Sequence, residues 1–143
     1  MLCLNYQSVT DRPKLSGLRR IVLSLLKKIK FRDDLSITFC TRRQMQALNK
    51  KFRGLNQPTD VLSFAGGDIV IAPALAAQNA RKYRNAFRAE IIYLIIHALC
   101  HLRGYDHAGR ADTARMRAAE NRLLAYIRKK YNIQLTGRIN EIP

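Results

Sequence analysis

His97, His101 and His107, the only histidines of this chain, fall in one eleven-residue window. The first two are four positions apart, which on a helix stacks their rings on a single face. Gly104 follows, free to take the left-handed backbone that ends a helix and turns the chain, and the turn carries His107 back towards the pair. Three neutral imidazoles leave one position of a tetrahedral zinc open, the arrangement of catalytic rather than structural zinc. A histidine on an apolar helix is more often a hydrogen-bonded core residue, and Ile91–Ile96 reads as core. The third histidine, just past a helix-stopping glycine, favours the metal.

The spacing also matches the long zincin pattern H-E-x-x-H-x-x-G-x-x-H, in which the glutamate is the general base. Here that position is Ala98. A methyl group accepts no proton, so the chain keeps the metal cage without the peptidase base, and peptide hydrolysis by that route is not expected.

Other residues could join this chemistry. Arg53 stands just before the polar loop Asn56-Gln-Pro-Thr-Asp60; it could grip a phosphate bidentately or simply be a solvated cation at a helix end. Asp106 could orient a ligand ring or cap the turn. Glu90, two turns before His97, could support a histidine from behind or be an acid at a helix start. Cys100 could border the metal or serve as a small core residue. Arg81, Lys82, Tyr83, Arg84 and Arg88 interleave cations with aromatics, as single-strand-binding surfaces do, although the rings could equally plug the core.

The elements that must position these groups follow from periodicity. Leu2–Gln7 alternates weakly, as an opening strand. Leu18–Ile29 repeats its apolar residues at helical spacing with basic residues between them. Leu35–Phe39 alternates with period two. Thr41 and Gln44 make a capping box for a helix that Gly54 ends, with Met45, Leu48 and Phe52 on its apolar face. Val61–Phe64 and Asp68–Ile71 are strands flanking Gly66-Gly67. Pro73 opens a helix to about Tyr83, the histidine helix runs from about Phe87 to Arg103, and a last helix spans about Thr113–Tyr131. Strands cluster early and helices late. The expected fold is therefore α+β: one domain over residues 1–143, a short mixed sheet packed with about five helices, one of them a zincin-like metal helix.

A chain of 143 residues with 48% hydrophobic content fits a single core. Its 26 Lys+Arg against 10 Asp+Glu leave a formal charge of +16. The cations divide evenly, 13 before residue 61 and 13 after, so the folded surface itself should be positive and suited to a polyanion. A membrane surface would call for an amphipathic helix with exposed Trp or Phe, and the chain has no Trp; nucleic acid is the better fit. Apolar runs fall well short of the roughly 20 residues that span a bilayer. The start shows no basic and apolar leader, and Cys3, Cys40 and Cys100 form no CxxC pair. A cytoplasmic protein with reduced thiols is expected.

With the histidine window, Thr59-Asp-Val-Leu-Ser-Phe64 and Gly67-Asp-Ile-Val-Ile71 in order, the chain resembles the YbeY family. Its members are bacterial single-strand-specific endoribonucleases of rRNA maturation and ribosome quality control. The family motif H-G-x-L-H-L-x-G-Y-D-H is matched at His97, His101, Leu102, Gly104, Tyr105, Asp106 and His107. Ala98 and Cys100 replace its usual Gly and Leu, and Ala65 stands where Pro is common. The resemblance implies one zinc, or another divalent ion, on His97, His101 and His107. It also implies catalytic roles for Arg53 and His97, single-stranded RNA as substrate, maturation of the 16S rRNA 3′ end, and the ribosome or small-subunit assembly factors as partners. The attacker is either a metal-activated water or the RNA 2′-OH. Two rivals stay open: a non-enzymatic assembly factor with a structural zinc, and a metal-dependent hydrolase of another substrate.

Overall fold

The computed structural model describes residues 1–6 and 15–134. In chain order the elements are β1 (Leu2–Tyr6), α1 (Leu18–Ile29), β2 (Leu35–Phe39), α2 (Arg42–Arg53), β3 (Val61–Phe64), β4 (Asp68–Ile71), α3 (Pro73–Tyr83), α4 (Phe87–Leu102) and α5 (Arg110–Tyr131). The strands form one mixed sheet in the order β1-β2-β4-β3. β2 pairs in parallel with β1 and with β4, and β3 runs antiparallel to β4 at the edge. The α+β expectation, with a short mixed sheet and about five helices, is what the described residues show.

Alternation along the strands sorts their side chains onto two faces. Leu35, Ile37 and Phe39 of β2 and Ile69 and Ile71 of β4 join the main core with residues of α1, α4 and α5. Leu62 of the edge strand faces the other way, with Cys40, Met45 and Ala72 in a small second cluster against α2. α4 is apolar almost all round, and Ala89 to Ile96 is buried without a break. Such a helix belongs inside a protein rather than on its surface. Burying each of its isoleucines contributes about 1.5–3 kcal/mol, which anchors the histidine-bearing end.

Two glycines are required by geometry. Gly67 has φ 97°, and a Cβ there would lie 2.3 Å from the Asp34 carbonyl oxygen, so the β3–β4 turn can approach β2 only without a side chain. Gly104, with φ 94°, ends α4. Its N–H donates to the His101 carbonyl at 3.0 Å, and the Tyr105 N–H donates to the Cys100 carbonyl at 3.1 Å. That double bond pattern is the Schellman motif, and it aims the following loop back across the helix end.

Two boundaries differ from the periodicity reading. α4 stops at Leu102, one residue short of Arg103, because the Schellman turn begins there. α5 starts at Arg110, three residues before Thr113. Its first turn is polar, with Asp112 paired to Arg115, so apolar spacing gave no sign of it. β1 ends at Tyr6, and Gln7 of the expected strand lies outside the described residues. The Thr41–Gln44 capping box forms as expected, with Gln44 N–H donating to Thr41 Oγ1 at 3.1 Å and Thr41 N–H to Gln44 Oε1 at 2.9 Å.

Candidate metal centre

α4 supplies His97 and His101 one turn apart, and the loop after Gly104 supplies His107. Their ring centroids lie 4.7 to 5.5 Å apart. One nitrogen from each falls within 4.8 Å of the others, and among the described residues no cysteine or carboxylate completes a fourth member of that group.

Each helix histidine is held by a hydrogen bond that selects its tautomer. His97 Nδ1 lies 2.7 Å from Oε2 of Glu120, on α5. A carboxylate only accepts, so Nδ1 carries a hydrogen, and the neutral ring has its lone pair on Nε2. His101 Nδ1 lies 3.1 Å from the Tyr105 carbonyl, with the same consequence. Burial, and next the neighbouring His97 and His107, hold the His101 pKa below its ordinary value, which favours the neutral ring that a metal requires. Two nitrogens about 2.0–2.1 Å from one zinc sit roughly 3–4 Å apart. The three imidazoles therefore fit such an ion with small ring rotations.

Glu120, which bonds His97, is a residue of the candidate site that periodicity and spacing missed. It is 4% exposed and sits among Met116, Ala119, Leu123, Leu124 and Ile127 on the buried face of α5. An acid on the apolar stripe of an amphipathic helix was the available signal. Glu90, the acid expected as a possible support, is in the first turn of α4 and wholly buried; the carboxylate bonded to His97 comes from Glu120 instead. Asp106 takes the second of its two readings, since its Oδ1 accepts from the Ala108 N–H at 2.9 Å and caps the loop that presents His107. Cys100 is fully buried, and burial, reinforced by Glu120, pushes its thiol up to about 12; it stands in the core.

Arg53 reaches the same place from the other side of the sheet. It ends α2, yet its guanidinium hooks over the edge strand, donating to the Ser63 carbonyl at 3.0 Å and lying 5.9 Å from the Phe64 ring centroid. A cleft of about 320 Å³ is lined by Arg53, Leu55, Val61, Leu62, Ser63, His97, Ala98 and His101. A second, of about 530 Å³, shares Ser63 and His101 and continues past Gly66 and Gly67 towards Phe31. Arg81, Lys82, Tyr83, Arg84 and Arg88 are not part of this arrangement. They sit around the start of α4, and at about 1.5 Å per residue Arg88 is roughly 20 Å along the helix from His101. The Arg88 guanidinium packs 3.1 Å from where a Gly17 Cβ would be, against the start of α1.

Fold and site together define a small α+β protein with three histidines, able to hold a metal ion, where a buried helix ends. The family model described as Endoribonuclease YbeY matches residues 5–128, and the chain belongs to that family. Endoribonuclease YbeY of Alkaliphilus oremlandii is 37% identical over 108 residues, covering 66% of this chain and 72% of that protein. Endoribonuclease YbeY of Methylocella silvestris is 38% identical over 108 residues, covering 68% of this chain and 61% of that protein. The solution structure of TM1509 from Thermotoga maritima superposes with a TM-score of 0.70 over 92% of each chain, at 24% identity, a likeness of fold. In the described residues no helix is long and apolar enough to cross a membrane.

Proposed function

We propose that this protein is a single-strand-specific, metal-dependent endoribonuclease of rRNA processing, acting at the 3′ end of 16S rRNA and in ribosome quality control. The observation that carries the reading is the meeting of Arg53 with His97 and His101 in one cleft, although they come from opposite faces of the sheet. Family membership supports RNA as the substrate, and the charge of +16 suits RNA and a ribosomal partner alike.

A divalent ion, zinc by preference for imidazole donors, would be held by His97, His101 and His107 and would supply Lewis-acid polarisation and an acidified water. Glu120 keeps the proton of His97 on Nδ1 and fixes its ring. The Tyr105 carbonyl does the same for His101. Arg53 binds the phosphoryl group undergoing cleavage, and its fixed fork stabilises the charge that grows there in the transition state. Its bond to the Ser63 carbonyl sets the guanidinium in place before substrate arrives. Asp106 shapes the loop that presents His107. Cytoplasm is the compartment in which these partners meet.

Incubating purified protein with single-stranded and duplex fragments of rRNA tests this. Cleavage of the single strand, lost on chelation and restored by zinc, is the expected result. Equal cleavage of both substrates, or full activity in excess chelator, rules the reading out.

A further inference from the structure

A second basic groove lies away from the histidines, between α1 and the end of α5. It encloses about 660 Å³ and, among the described residues, is lined by Arg20, Leu23, Ser24, Lys27, Lys130 and Tyr131: three cations and no carboxylate. Neither Leu18–Ile29 nor residues 121–134 contain any Asp or Glu, so neighbouring helix surface does not offset the charge. Lys130 is about 15 Å along α5 from Glu120, at 1.5 Å per residue, which separates the groove from the metal centre.

The groove is built rather than merely charged. Lys130 Nζ donates to Ser24 Oγ at 3.2 Å and to Tyr126 OH at 3.4 Å. The Ser24 hydroxyl donates to the Arg20 carbonyl at 3.1 Å and lies 2.6 Å from Tyr131 OH. An ammonium has three N–H donors, so Lys130 keeps one for a ligand while two hold it in position. The rings near it are covered by cations: Lys28 and Lys130 lie 5.1 and 5.7 Å from the Tyr126 centroid, and Lys130 lies 5.6 Å from that of Tyr131. With cations over both rings, charge is what the groove chiefly offers a ligand.

We infer that the α1–α5 groove is a second RNA site, which grips phosphates of the substrate strand beyond the cleavage point irrespective of base. The inference rests on the endoribonuclease reading for the identity of the polyanion. A long RNA is then held at two places, the cleft and this groove, while a short one reaches only the first. The local concentration gained by the second site falls entirely on long substrates.

The test compares binding of a single-stranded RNA of about 20 nucleotides with one of about 5, lengths bracketing the roughly 4–16 nucleotides that one single-strand groove occupies. Wild type is titrated beside Arg20→Glu/Lys27→Glu, which leaves the Lys130–Ser24–Tyr126 bonds intact, and beside Lys130→Gln, which removes one charge together with those bonds. The double reversal should weaken the long RNA about tenfold or more, and its salt slope should flatten by about 1.4, at roughly 0.7 for each phosphate left without its cation. Lys130→Gln should move both in the same direction by about half as much in slope. Affinity for the short RNA, and its cleavage rate, should not change. Unaltered binding of the long RNA overturns the inference, as does an equal loss on both lengths. So does displacement of the long RNA by polyglutamate as effectively as by unlabelled RNA, since the groove would then be a site for acidic protein. Binding is read without cleavage, so a wild-type protein that binds RNA and cuts none sinks the enzymatic reading and leaves this one standing.

Discussion

The two ends of α4 both carry clusters that looked functional as strings of residues, and they differ in what surrounds them. At the start, Arg81, Lys82 and Arg84 project from the end of α3 and the loop beyond it, while Glu90 and Ala89 are buried. At the finish, His97 and His101 meet His107, and each helix histidine has a partner that selects its tautomer and orientation. The first cluster is charge on a surface. The second is a set of convergent donors whose tautomers are chosen by a carboxylate and a carbonyl, with an arginine from another layer closing the cleft. Convergence under hydrogen-bond control is what a metal or a reaction needs, whereas charge spread over a surface serves attraction of a polyanion.

The largest effect should come from His101→Ala. Removing one of three donors should leave metal content, measured by elemental analysis of the dialysed protein, well below the one ion per chain of wild type, and abolish cleavage with it. Stoichiometric metal in that variant would erase the contrast between the two ends.

Next is Arg53→Ala. The single-turnover rate at saturating enzyme should drop on the order of a hundredfold, about 3 kcal/mol, with melting temperature, metal content and nearly all RNA affinity kept. Arg53→Lys should recover only part, because a point charge lacks the planar fork. Wild-type rates once RNA is bound would return Arg53 to the class of solvated cations.

Glu120→Gln probes the hydrogen bond behind His97. An amide can satisfy the geometry but is a weaker acceptor, so zinc affinity measured against a competing chelator should fall roughly 10–100-fold. An unchanged affinity would mean that Glu120 only fills its place in the core.

The smallest effect is expected at the other end of the helix. Arg81→Ala/Lys82→Ala should leave the single-turnover rate on a short RNA unchanged to within about twofold, with a modest loss of affinity confined to low salt. A rate loss comparable to that of Arg53→Ala would show that the start of α4 takes part in the chemistry.

Periodicity and punctuation located nearly every element because the residues that define them act locally: the capping box at Thr41, the glycine at 104, the alternation of Leu35–Phe39. The start of α5 escaped because an exposed polar turn leaves no apolar rhythm. The histidine set was legible for the same local reason, since a helix and its terminal turn bring i, i+4 and i+10 together without help from the rest of the fold.

What the chain determined by itself, then, was the three-histidine set, the α+β order of its elements and an overall charge suited to a polyanion, all of which depend on neighbours a few residues apart or on composition. Tertiary structure decided the rest. Glu120 reaches His97 across 23 positions, and only the packing of α5 on α4 brings the two together. Arg53 crosses the sheet edge to Ser63, which requires β3 to be the outer strand. The α1–α5 groove exists because two helices far apart in sequence dock side by side. Such pairings rest on burial and on the order of strands, and neither has a period along the chain.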